Sequence, residues 1–210
     1  MNVGLTGNMC SGYEKVSEIF KLYQVPVFDA DITLKFLLNY REDIIRQIKI
    51  TFGGNIYNKG SIEPQKFNTT EKFNKLVDLA QPELFKLYDI WKSKNSNTSY
   101  VIFKSSILFE RKINEKMNYN ITVFRPRDER AYQLSQRGVG SPTSLISAYD
   151  IVDSEMDELI KNQKSDWTIH NYDNLSLLTQ SKQIHDIIDS KSIKNLIKNI
   201  DYNTVKNVFS

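Results

Sequence analysis

The sequence predicts an α/β fold in which five short strands alternate with helices and form a parallel sheet layered by helices on both sides. Three observations carry that expectation. An apolar opening segment runs into a glycine-containing loop and then an amphipathic helix. A second apolar segment ends in carboxylates. Strand-like and helix-like segments then alternate to about residue 188, the order that right-handed crossovers generate.

Residues 2–6 form the first strand, and Gly7 and Gly12 bracket the loop that follows. Val16, Ile19, Phe20 and Tyr23 recur at i, i+3, i+4 and i+7, which is one face of a helix. Residues 25–29 read as the second strand and run into Asp29-Ala30-Asp31, placing carboxylates at a strand's carboxyl end, where parallel sheets bind ligands. A helix follows through Leu34, Leu37, Leu38 and Ile44. Gly53, Gly54 and Gly60 mark a turn-rich region, and Phe73, Leu76, Val77 and Leu79 begin a helix expected to continue beyond Pro82. Residues 100–103 and 120–124 are the third and fourth strands, and 127–137 is a charged helix broken by Gly138, Gly140 and Pro142. An acidic, mainly polar helical region over 143–163 precedes a fifth strand at 167–169 and a closing helix over 175–188. The expected organisation is one domain over 1–189, with a small helical lid at about 138–163, and a C-terminal helical extension over 190–210. Ile193, Leu196, Ile197 and Ile200 share one face of that extension, which suits a docked terminal helix or a partner-binding one.

At 210 residues the chain is long enough to bury its own core, and its 28 basic and 25 acidic side chains are scattered, so no specific nucleic-acid surface is expected. Cys10 is the only cysteine and His170 and His185 the only histidines, which excludes an internal disulfide and argues against a zinc or iron–sulfur centre. Cys10 reads as a loop filler. The opening residues lack the basic start of a signal peptide, and no apolar run approaches the ~20 residues of a membrane span. The cytoplasm or another reducing compartment is expected, without secretion or membrane attachment.

The chemistry concentrates in residues 4–14, Gly-Leu-Thr-Gly-Asn-Met-Cys-Ser-Gly-Tyr-Glu. A phosphate-binding loop of the form G-x-x-x-x-G-K-[S/T] cradles phosphate oxygens in backbone N–H groups, reaches the β/γ-phosphates with its lysine and holds Mg²⁺ with its hydroxyl. Gly7 and Gly12 keep that spacing and Ser11 is retained, but Tyr13 stands in the lysine's place and Glu14 in the hydroxyl's. Lys15 lies two residues further on, a turn of about 200°, so its side chain is expected to point away from the loop. A carboxylate about 4 Å from a phosphate charge is repelled by ~1 kcal/mol in water and ~4 kcal/mol at an effective dielectric near 20.

Gly4-Leu5-Thr6-Gly7, Ser11-Gly12, Val16, Phe20 and the run from Val25 to Asp31 align without a gap to G-L-T-G-G-I-G-S-G-K-S-T and V-P-V-I-D-A-D. On these residues, the span 1–188 resembles the dephospho-CoA kinase family of P-loop kinases. Phe52-Gly53, Gly60-Ser61-Ile62, Gln81-Pro82, the run from Ile107 to Glu110, and His170-Asn171 extend the likeness. Pro64, Ser106, Gln133, Ile151 and Glu155 depart from the family pattern, while Lys161 keeps a basic position. The resemblance implies a three-layer α/β/α P-loop kinase fold, with ATP and Mg²⁺ as cofactors if the chain is active. It implies Asp31 as base toward the 3′-hydroxyl of dephospho-CoA and Asp29 as a carboxylate that orients the metal; Glu14, where the family carries a hydroxyl, would bind Mg²⁺ directly if the chain is active. Gly7, Ser11 and Gly12 would bind phosphate and Asn171 adenine. Arg137 is a lid contact to phosphate or a solvated charge in the stretch that includes Arg125, Arg127 and Arg130. Trp167 and Tyr172 either flank a base or belong to the core. Because the phosphate-binding cations are lost while the core pattern persists, the expectation is a catalytically degenerate protein. It would serve as a structural or interaction subunit of a larger assembly, such as a ribonucleoprotein or virion, with a protein partner and a nucleotide or CoA-type ligand. An active kinase with an atypical loop is the alternative.

Overall fold

The computed structural model describes residues 1–67, 69–136 and 144–208, and of residues 145 and 193–208 the backbone alone. The elements in chain order are β1 (Asn2–Gly7), α1 (Tyr13–Leu22), β2 (Val27–Asp29), α2 (Ala30–Tyr40), α3 (Glu42–Phe52), β3 (Tyr57–Asn58), β4 (Ser61–Ile62), α4 (Thr70–Lys94), β5 (Val101–Lys104), β6 (Tyr119–Phe124), α5 (Arg127–Gln136), α6 (Leu145–Asp153), α7 (Glu158–Lys164), β7 (Trp167–His170) and α8 (Leu177–Val208). Two units are distinct: Met1–Val27 with Asn97–Ser210, and Phe28–Ser96.

Among the described residues a five-stranded sheet has the order β2-β5-β1-β6-β7. β1 lies parallel to β5 and β6, and β6 to β7. Val3 and Leu5, with Ile102, Ile121, Val123 and Ile169, bury one face against Val16 and Phe20 of α1 and Ile184 and Ile188 of α8. The period of two turns Gly4 to the other face, where a Cβ would fall 2.7 Å from both Asn120 Oδ1 and Leu108 Cδ2. Parallel strands gather the segments after β1, β5, β6 and β7 at one end of the sheet, and the site forms there.

In the second unit the single helix expected through Leu34 and Ile44 is two. Arg41 is extended, with φ −88° and ψ 106°, and separates α2 from α3. The Asp43 carboxylate accepts from both Arg41 Nε and Ile44 N at 3.0 Å, a local alternative to continuing the helix. The turn-rich stretch contains the hairpin β3–β4, whose two turn residues, Lys59 and Gly60, both have positive φ, as a type I′ turn needs. α4 runs through Pro82 as expected.

α5 and α6 pack through Ala131, Ala148 and Val152. Arg127 forks onto Asp153, with Nε 2.6 Å from Oδ1 and Nη2 2.5 Å from Oδ2, and these hydrogen bonds hold the Asp153 carboxyl below the usual carboxylate range. The helical region expected over 143–163 is interrupted between α6 and α7, because Asp157 turns its carboxylate back to cap α7 at Leu159 N, 2.7 Å. The glycine and proline breaks at 138, 140 and 142 lie outside the described residues. The closing helix and the segment from 190 onward are continuous in α8. Among the described residues no helix is long and apolar enough to cross a membrane.

Candidate active site

The loop between β1 and α1 is shaped by two residues of positive φ, Cys10 at 64° and Gly12 at 98°. Gly12 is the N-cap of α1, and no side chain among the described residues caps that helix. Its first-turn N–H groups therefore have no acceptor within the helix and carry the positive end of its dipole. A Cβ on Gly7 would collide with Ser11 Oγ and lie 3.0 Å from Val123 O. Ser11 is itself buried, and its hydroxyl has no hydrogen-bond partner among the described residues. An orphaned hydroxyl beside an uncapped helix start is a donor set that a phosphate oxygen satisfies, so these residues fit a nucleotide phosphate.

A cleft of about 330 Å³ opens at this loop, lined by Gly12, Tyr13, Glu14, Lys15, Arg125 and Asn171 among others. Asn171 joins the end of β7 to the loop, since its N donates to Phe124 O at 2.8 Å and its Nδ2 to Ser11 O at 2.7 Å. Gly12→Ala would push a Cβ into Asn171 Nδ2 while forcing an L-residue into left-handed backbone, at about 1–2 kcal/mol. Where native protein gains ~2.7 kcal/mol from ATP at a hundred times its dissociation constant, the variant is expected to show a visibly smaller thermal shift at the same ATP concentration. An equal shift would contradict this account of the loop.

The charges differ from those expected from spacing alone. The Glu14 carboxylate pairs with the Nζ of Lys104, the last residue of β5, so its repulsion of phosphate is offset by an adjacent ammonium. Lys15 lines the cleft instead of pointing away. Side chains in a helix lean toward its N-terminus, and in the first turn that direction lies over the loop. Magnesium carried on nucleotide phosphates needs one or two protein carboxylates, a requirement that Glu14 at the cleft fits.

Arg130, only 1% exposed, was indistinguishable by spacing from a solvated arginine. Its Nη1 donates to Glu155 Oε2 and its Nη2 to Glu158 Oε2, both at 2.8 Å, and Nη1 also reaches Met9 O at 3.4 Å. Glu155 in turn accepts from Met9 N at 2.7 Å, and Asn8 Nδ2 donates to Met156 O at 2.7 Å. The front of the loop is thus tied to the segment between α6 and α7. Arg125 also lines the cleft and donates through Nε to Glu129 Oε2 at 2.9 Å. Gln133 lines the cleft as well, whereas Arg137 lies outside the described residues. Lys161 is buried against Glu110 Oε1, 2.7 Å, and Ser106 O, 3.0 Å.

Asp29 and Asp31 belong to the second unit. Asp29 caps α2, accepting from Ile32 N at 3.0 Å, and Asp31 stands half-buried in the first turn of that helix. Trp167 begins β7, at the end of the strand away from the loops, and packs on the core with its ring 5.1 Å from Tyr119. Tyr172 meets Phe124 and His170 edge-on at 5.7 and 5.5 Å.

A family model described as dephospho-CoA kinase matches residues 1–176. The chain is 25% identical over 197 residues to the dephospho-CoA kinase of Clostridium perfringens, covering 90% of this chain and 96% of that one. It is 26% identical over 185 residues to that of Acinetobacter baylyi, covering 85% and 92%. Among solved structures, TT1252 from Thermus thermophilus is similar with a TM-score of 0.73 at 19% identity, over 88% of this chain and 95% of its own. Dephospho-CoA kinase from Campylobacter jejuni follows with 0.62 at 19% identity, over 90% and 98%. At such identities the structural likeness shows the α/β fold of P-loop kinases.

Proposed function

Since the chain belongs to the dephospho-CoA kinase family, we propose that it transfers the γ-phosphoryl group of ATP to the 3′-hydroxyl of dephospho-CoA, yielding ADP and CoA. The expectation of a silenced structural subunit is thereby corrected, because the family match spans the loop, both aspartates and Asn171. That expectation counted cations only at the positions where the family pattern carries them, in the loop and in the later arginine positions. Lys104 comes to the loop from β5, and Arg125, which follows β6, lines the cleft.

The observation that carries the reading is the uncapped start of α1 behind the Gly7–Gly12 loop, with the orphaned Ser11 hydroxyl beside it. In the proposed reaction the loop amides and Ser11 bind phosphate oxygens, and Asn171 orients the adenine. Asp31 takes the proton of the 3′-hydroxyl as its oxygen bonds to the γ-phosphorus. The bond from that phosphorus to the β,γ-bridging oxygen breaks, and the electron pair leaves on ADP. Arg137 is assigned to the transferring group. Magnesium, which Glu14 and Asp29 would hold, supplies charge neutralisation at the β- and γ-phosphates when bound. The cytoplasm is the proposed compartment. Incubated with ATP, Mg²⁺ and dephospho-CoA, the purified chain is expected to form CoA and ADP in equal amounts by chromatography. Absence of CoA would refute the reading.

A further inference from the structure

An ammonium reaches this loop from a neighbouring strand. We propose, resting on the kinase reading above, that Lys104 is the cation that binds the β- and γ-phosphates of ATP, supplying from β5 what Tyr13 does not supply from the loop. Lys104 lies in register with Leu5 of β1, and the following Ser105 N donates to Leu5 O at 3.0 Å. It therefore ends the strand alongside the one that feeds the loop. Its Nζ meets the Glu14 carboxylate and lies 5.6 Å from the centroid of the Tyr13 ring. Tyr13 and Glu14 line the cleft and occupy the two positions at which a phosphate loop ordinarily carries its lysine and its hydroxyl. The ammonium is thus held where the outer phosphates arrive.

Burial supports the same assignment. Val101, Ile102 and Phe103 are buried apolar residues, and Lys104 after them is 3% exposed. An ammonium withdrawn from water loses hydration that an aliphatic side chain would not, so strand packing alone does not call for lysine here. Glu14, with a side chain 60% exposed, offsets part of that loss and holds the ammonium directly behind a carboxylate that lines the cleft. A cation already positioned in a water-poor site stabilises developing charge without reorganising. Lys15 is exposed and must be ordered on binding, and Arg125 is engaged by Glu129.

The test compares ATP with AMP, which lacks the outer phosphates, by calorimetric titration without Mg²⁺, alongside the CoA assay. Lys104→Met is expected to lower kcat about a hundredfold and to erase the preference for ATP over AMP while leaving AMP binding unchanged. Adding Tyr13→Lys to Lys104→Met is expected to restore both, which a purely structural lysine would not permit. Lys104→Gln, which keeps a polar end beside Glu14, serves if the Met variant fails to fold by circular dichroism. Loss of the preference supports the assignment even if the native chain forms no CoA, a result that would sink the kinase reading alone. An unchanged preference in the folded Lys104 variants overturns the assignment even where the native chain is fully active.

Discussion

Asp31→Asn is expected to lower kcat about 10²–10⁴-fold while ATP binding and the folded spectrum persist. The asparagine keeps the size and a hydrogen-bonding oxygen but cannot take a proton, so the attacking hydroxyl would have to shed its proton to water. The residue's setting suits an anion, because Asp31 lies in the first turn of α2, where the helix dipole favours negative charge. Asp29 next to it caps α2, its Oδ1 accepting from Ile32 N at 3.0 Å, so in the proposed reaction Asp29 serves the helix and the metal and Asp31 takes the proton. The checks are steady-state rates with ATP and dephospho-CoA, paired with calorimetric ATP binding. A variant retaining a tenth or more of the native kcat would remove Asp31 from the role of base.

What the chain reveals by spacing alone is what local periodicity controls. The apolar stripe of α1, the strand alternation and the two loop glycines each depend on residues a few positions apart, and each reappears in the sheet and its helical cover. Breaks made by single side chains were not legible. Asp43 and Asp157 mark the breaks by accepting local hydrogen bonds, Asp43 from Arg41 Nε and Asp157 from Leu159 N as the cap of α7, and a short polar residue inside a periodic run does not announce which bond it will choose.

The site was legible where it is backbone and illegible where it is charge. Gly7, Ser11, Gly12 and Asn171 meet at one loop. The charge balance, by contrast, depends on Glu14 and Lys104, which are 90 positions apart and pair only because β5 lies beside β1. Reading Glu14 as an uncompensated anion next to phosphate was sound electrostatics applied to an incomplete set of charges. Trp167 illustrates a simpler ambiguity: both ends of β7 carry aromatics, and only the strand's direction tells that Trp167 faces the core end.

Arg130 is the second large effect. Arg130→Met is expected to destabilise the fold by about 3 kcal/mol, toward the lower end of values for breaking a buried ion pair because Glu155 and Glu158 retain some water. For a chain of this size that lowers the melting midpoint by roughly 6–12 °C. The loss should exceed that of an ordinary surface arginine, since the guanidinium serves two carboxylates at once and Glu155 passes the contact on to Met9 N in the phosphate loop. Arg130→Lys should recover little, because a single ammonium cannot reproduce the fork. Adding Glu155→Gln to Arg130→Met should recover part of the stability by removing one of the stranded charges, and that recovery separates electrostatics from lost packing. ATP affinity should fall with stability in the single variant, since the amide that Glu155 holds belongs to the loop. A melting midpoint within about 2 °C of native, the shift expected for less than 1 kcal/mol, would show that the buried fork does not hold the loop to the segment between α6 and α7.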